Sequence, residues 1–86
     1  MGSQEGLTIK TTHPDITGWI DQAHPLGIKR MMAVVKTDSE LAKALHRTFV
    51  SQDVVAVDGV DFWIESFSFD WPESRVGFIE RHRELE

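Results

Sequence analysis

The segment from Asp53 to Ile64, Asp-Val-Val-Ala-Val-Asp-Gly-Val-Asp-Phe-Trp-Ile, constrains this chain more than any other. Two short apolar runs meet at Asp58-Gly59. A two-residue Asp-Gly connection suits a type I′ turn, whose central positions both need positive φ, freely adopted by Gly and tolerated by Asp. Val54 to Val57 and Val60 to Ile64 are therefore expected to pair as an antiparallel hairpin, and the remaining elements must be compatible with a sheet that contains it.

Eighty-six residues allow one domain. A chain of this size buries only roughly 60–65% of its unfolded surface in a single core. Three Trp and five Phe supply large buried areas, so that core needs no covalent staples. Cysteine is absent, which removes disulfides, thiolate metal sites and thiol catalysis together. There is no apolar run long enough to span a bilayer and no charged-then-apolar leader, so a soluble, intracellular protein without membrane association is expected. The net charge of −5 argues against specific nucleic-acid binding. Charge is also segregated: Thr48 to Ser74 contains no Lys or Arg, whereas Ile28 to Arg47 carries Lys29, Arg30, Lys36, Lys43 and Arg47. Strand alternation puts charges outward on any half-buried sheet, so ordinary solvated surface is the expected reading, with one acidic and one basic end or face as the alternative.

Residues 1–6 are polar and glycine-containing, with nothing to bury, and read as a disordered N-terminal tail. At the other end Leu85-Glu86 (residues 85–86) reads as a cloning remnant and is set aside. Leu7 to Thr12 alternates with period two and is rich in β-branched residues, a strand pattern. His13-Pro14-Asp15 interrupts it. Ile16, Gly18 and Ile20 then share one face of a second strand, with Thr17, Trp19 and Asp21 on the other. Gln22 to Gly27, containing His24-Pro25 and Leu26-Gly27, reads as an exposed loop. Arg30 to Lys36 is nearly continuous in apolar content, as in a strand buried on both faces.

Thr37-Asp-Ser-Glu40 has the form of a capping box, with Thr37 as the cap and Glu40 reaching back. A helix from about Asp38 to Val50 follows, with Leu41, Ala44, Leu45, Thr48 and Phe49 forming one apolar stripe. After the hairpin the parity conflicts: Phe62 and Ile64 lie on one face, Phe67 and Phe69 on the other. A bulge near Glu65-Ser66 resolves the conflict by bringing Phe67 and Phe69 to the core, and bends the sheet toward a barrel. Asp70 to Ser74 reads as a turn and Arg75 to Arg81 as the last strand. The predicted fold is mainly β, a β-barrel-like antiparallel sheet with one short α-helix, in the order β-β-β-α-β-β-β.

Chemistry-bearing constellations are not apparent. His13, His24, His46 and His82 have no ligand partners at metal-binding spacing, and no phosphate-cradling loop or nucleophile elbow occurs, so neither metal, cofactor nor enzymatic activity is expected. Trp19 and Trp63 read as core residues rather than a stacking platform. Trp71 sits beside Pro72 in a predicted turn, flanked by Asp70 and Glu73. It is either a local lid over Pro72 or the sheet edge, or an aromatic anchor in a protein interface.

Ile16-Thr-Gly-Trp-Ile-Asp21, then a loop, then Val35-Lys-Thr-Asp38 leading into a helical segment, then Asp53 to Ile64 with its Phe62-Trp63-Ile64 strand, a polar turn and a final strand, together resemble the phage head-to-tail joining (tail attachment) proteins of the lambda type. The resemblance covers roughly residues 16 to 81 and rests on the order and spacing of structural motifs. It implies a non-enzymatic virion or prophage neck protein: a small β-barrel with one helix, self-associating into a ring on the portal or connector and presenting the surface to which tail proteins attach. Its location would be the virion neck, or the bacterial cytoplasm before assembly. Gln22 to Lys29 would replace the family's longer flexible loop, and Glu40 to Gln52 is more strongly helical than the family's segment. The expected protein-interface residues are Gln22, His24, Pro25, Leu26 and Lys29 in the loop, and Asp70, Trp71, Pro72 and Glu73 in the turn. Another small β-barrel adaptor or a tail-terminator component is the alternative reading, with a small-ligand binding domain as a third.

Overall fold

A computed structural model describes residues 6–22 and 24–81. Of the tail expected at residues 1–6 only Gly6 lies within it, and His82 and Leu85-Glu86 fall outside. The elements are β1 (Leu7–Ile9), β2 (Ile16–Gln22), β3 (Arg30–Lys36), α1 (Glu40–Ser51), β4 (Val54–Val57), β5 (Val60–Ser68) and β6 (Glu73–Glu80), in the expected order. All six strands join one sheet, β1-β4-β5-β6-β3-β2, which curls into a half-barrel. The sheet is mixed. β1 runs parallel to β4, with Leu7 opposite Val55 and Ile9 opposite Val57, which corrects the expectation of a purely antiparallel sheet. Every other neighbouring pair is antiparallel.

The hairpin that dominates the sequence forms as its turn chemistry requires. Asp58 and Gly59 have φ of 51° and 85°, and Val57 pairs with Val60 across the turn. The turn is also tied to the chain's beginning. Asp58 N–H donates to the Ile9 carbonyl at 3.0 Å, and the Asp58 carboxylate accepts from the Thr11 amide at 3.0 Å and the Thr11 hydroxyl at 2.9 Å. Those two donors, the amide foremost, hold the Asp58 carboxyl below its ordinary value.

Two bulges set which side chains reach the core. The β5–β6 register shifts between Ile64 and Ser66, as the parity conflict predicts, and Phe67 packs against the core. Phe69 does not follow: it is 65% exposed. Room for the bulge comes from Gly77, where a Cβ would sit 2.5 Å from Ser66 Oγ. On the outer face Arg30 secures the same place, Nη2 donating to Glu65 Oε1 at 3.2 Å. Its Nε lies 2.8 Å from Oε2 without a hydrogen-bonding direction, so that contact is ionic only. A second shift, between Ile16 and Gly18, reverses the parity expected for β2. Ile16 and Trp19 pack against the core together, Ile20 is exposed, and the Trp19 indole donates to the Thr11 carbonyl at 3.0 Å.

Inside the curl lie Ile9, Met31, Ala33, Val35, Val55, Val57, Phe62, Val76 and Phe78. β3 thus alternates, fully buried at Met31, Ala33 and Val35 and only partly covered at Met32 and Val34, instead of being buried equally on both faces. Trp63, expected in the core, points outward beneath Arg81, whose guanidinium carbon stands 5.6 Å from the ring centroid. Helix α1 packs against β5, β1 and β3 through Leu41, Ala42 and Leu45. Its cap is Ser39, not Thr37: Ser39 Oγ accepts from Ala42 N–H at 3.1 Å, so the helix begins two residues later than the capping-box reading. At the C-terminus Gln52 adopts φ of 60°, with Gln52 and Asp53 amides donating to the Phe49 and Thr48 carbonyls in a Schellman arrangement.

Candidate interface sites

The two segments expected to bind partners lie at opposite ends of the sheet. β3 starts at Arg30, paired with Gln22 and Ile79, and ends at Lys36, paired with Glu73. The loop after Gln22 therefore emerges at one end and the turn before Glu73 at the other, about 20 Å apart along a seven-residue strand.

In the first loop, His24 organises a tight turn. Its carbonyl accepts from Gly27 N–H at 2.9 Å and its ring Nδ1 from Leu26 N–H at 3.1 Å. That turn leaves Pro25 exposed and holds the Leu26 side chain 78% exposed, the most exposed large apolar residue among those described. Gln22 and His24 are half-buried. Lys29 is exposed, but its backbone is fixed: its amide donates to Glu80 Oε1 at 3.2 Å and its carbonyl accepts from Glu80 N–H at 2.8 Å.

At the opposite end, Ser74 is fully buried and holds the turn together. Its hydroxyl lies 2.7 Å from Thr37 Oγ1 and 3.4 Å from both the amide and the carbonyl of Asp70. Thr37 Oγ1 also donates to the Asp70 carbonyl, and Thr37 N–H donates to the Pro72 carbonyl at 2.9 Å. Recruitment of Thr37 to this turn explains why the helix cap passes to Ser39. The Trp71-Pro72 peptide is cis. Asp70, Trp71, Pro72 and Glu73 are all exposed, Trp71 at 72%, while Glu73 is already the first residue of β6 rather than part of the turn.

Beside this turn lies a feature that sequence reading did not single out. Phe67, Phe69, Phe49 and His46 form an aromatic group, with His46 edge-on to Phe67 at 5.1 Å and Phe69 centred 5.5 Å from Phe67. Its outer margin is a groove of about 280 Å³ lined by Thr37, Ala42, Lys43, His46, Arg47 and Phe69. The signal was present in the helix: Lys43, His46 and Arg47 recur at three- and four-residue spacing, a basic edge along the apolar stripe. A larger surface depression, about 430 Å³, lies on the outer face of β4 and β5 around Trp63, Asp61 and Arg81, with Arg81 Nη1 3.7 Å from Asp61 Oδ2.

Among the described residues no group of three or more His, Asp or Glu is placed to hold a metal ion, and no helix is long and apolar enough to cross a membrane. No family model matches the chain, and neither a curated protein nor a solved structure matches it.

Proposed function

We propose that this chain is a structural neck protein of a phage or prophage, joining the DNA-filled head to the tail as a ring subunit on the connector. The observation carrying this reading is the pairing of a packed interior with exposed apolar anchors at both ends of one rigid sheet. Leu26 projects at one end and Trp71 at the other, each on a loop fixed by hydrogen bonds to its own backbone or to a neighbouring strand. An adaptor between two neighbours needs two such surfaces, and preorganised loops lower the ordering cost of binding. The motif order that resembles the lambda-type joining proteins, and a half-barrel with a single helix, support the same reading.

On this account the mechanism is association. Portal or connector proteins meet one end, tail proteins meet the other, and a polar rim surrounds each apolar anchor. In vitro joining tests it. In a lysate of the source phage or induced prophage lacking this gene, filled heads and finished tails should accumulate unjoined, and purified protein should restore infectious particles. Joined particles in the absence of the gene would sink the proposal.

A further inference from the structure

We propose that the groove between α1 and Phe69 receives the Trp71 turn of a second copy of this chain. The inference deepens the ring reading by naming the two surfaces through which copies would meet.

Charge and polarity match between the two patches. The groove has an apolar floor of Ala42 and Phe69 and a basic margin of Lys43 and Arg47. Arg47 makes no ion pair among the described residues, and Lys43 has only an exposed contact with Glu40 at 3.6 Å. The turn offers the complement: a 72% exposed indole beside Asp70, whose carboxylate has no ion pair among the described residues. Glu73 adds a second carboxylate, opposite Lys36 in the β3–β6 register without an ion pair to it. An aromatic anchor flanked by carboxylates fits an apolar slot edged by cations, with Arg and Trp supplying the contact types that dominate interface energetics.

The turn cannot reach the groove of its own subunit without breaking the bonds that define it. Thr37 is at once a wall of the groove and the residue that fixes the backbone of Asp70 and Pro72, so the turn is held at the groove's rim. A second copy has no such restriction. Each copy then donates a turn and offers a groove. Repeated from subunit to subunit, the contact builds the ring of the proposed function, whereas a reciprocal exchange of turns closes a two-fold dimer.

Sedimentation velocity over a concentration series, up to the solubility limit, tests this. The wild-type chain should self-associate. Trp71→Ala alone, and Lys43→Glu with Arg47→Glu, should each weaken association by roughly tenfold or more. Two further results follow only from a turn-in-groove contact. Adding Asp70→Lys to the groove double variant should restore association, and mixing the Trp71→Ala chain with the groove variant should yield hetero-association that neither shows alone. A wild-type chain that remains monomeric, or association indifferent to both sets of variants, overturns the proposal. The neck reading fails separately. A monomeric chain that still restores head-tail joining removes this contact and leaves that reading, whereas charge-rescued association in a chain without joining activity does the reverse.

Discussion

Leu45→Ala tests whether the helix is an integral wall of the fold. Leu45 is fully buried and sits between Leu41 and Ala42 on the face that α1 turns toward β5, β1 and β3. The substitution removes three carbons, worth about 0.8 kcal/mol each in transfer from water, or about 2.4 kcal/mol. Incomplete collapse of the resulting cavity adds to this, bringing the cost to about 3 kcal/mol. Against a total stability of about 4–13 kcal/mol for a chain of this length, that is a large fraction. Urea titration should show the midpoint falling with an unchanged slope, and the melting temperature should drop by roughly 12–24 °C. Val50→Ala is the matched control, because Val50 is on the same helix but 66% exposed, and it should change stability by less than about 0.5 kcal/mol. A loss below about 0.5 kcal/mol for Leu45→Ala would show that the helix does not seal the core and would refute the packing argument.

Ser39→Ala should cost about 1 kcal/mol by removing the acceptor for Ala42 N–H, measured by denaturant titration. Gly77→Ala should destabilise by about 1–3 kcal/mol, since the new Cβ meets Ser66 Oγ, and Ser66→Ala in the same chain should recover part of the loss. Asp58→Asn keeps a residue that tolerates positive φ but removes the charge accepting from Thr11. Because the folded Asp58 carboxyl is held below its ordinary value of 3.8, its contribution is fully present above that value and is lost as pH falls through the lower folded value. The melting-temperature gap between wild type and Asp58→Asn should therefore be open at neutral pH and close in strong acid; a gap independent of pH would contradict the assignment.

Local rules made much of the fold legible. Asp58-Gly59 specifies its turn through backbone sterics alone, the Leu41/Leu45/Phe49 spacing defines one face of a helix, and the parity conflict after Ile64 demands a bulge. What escaped depends on partners distant in sequence. Alternation in Leu7–Ile9 marks a strand but not its direction, and β1 takes its parallel orientation from β4, whose Val55 opposes Leu7. Thr37 and Ser39 are both competent caps, and the choice is made by Ser74 and Asp70, which occupy Thr37 from across the sheet. Trp63 lies on the outer face because Phe62, its neighbour, fills the core against Phe78 at 6.2 Å. Among the expected interface residues, the exposure of Leu26 and Trp71 agrees with their Pro-containing loops. The basic groove is not legible in the sequence because the bulge parity points Phe69 inward, and only its outward turn creates a wall beside Lys43 and Arg47.

If the Trp71 turn binds a partner rather than holding the fold together, Trp71→Ala measured on both counts separates the two roles. Trp71 is 72% exposed, so the unfolding free energy should stay within the change caused by an ordinary surface substitution, about 0.5 kcal/mol. Restoration of infectious particles from unjoined heads and tails should nevertheless be lost. A variant that joins heads to tails as well as wild type, or one whose stability collapses, would contradict the account.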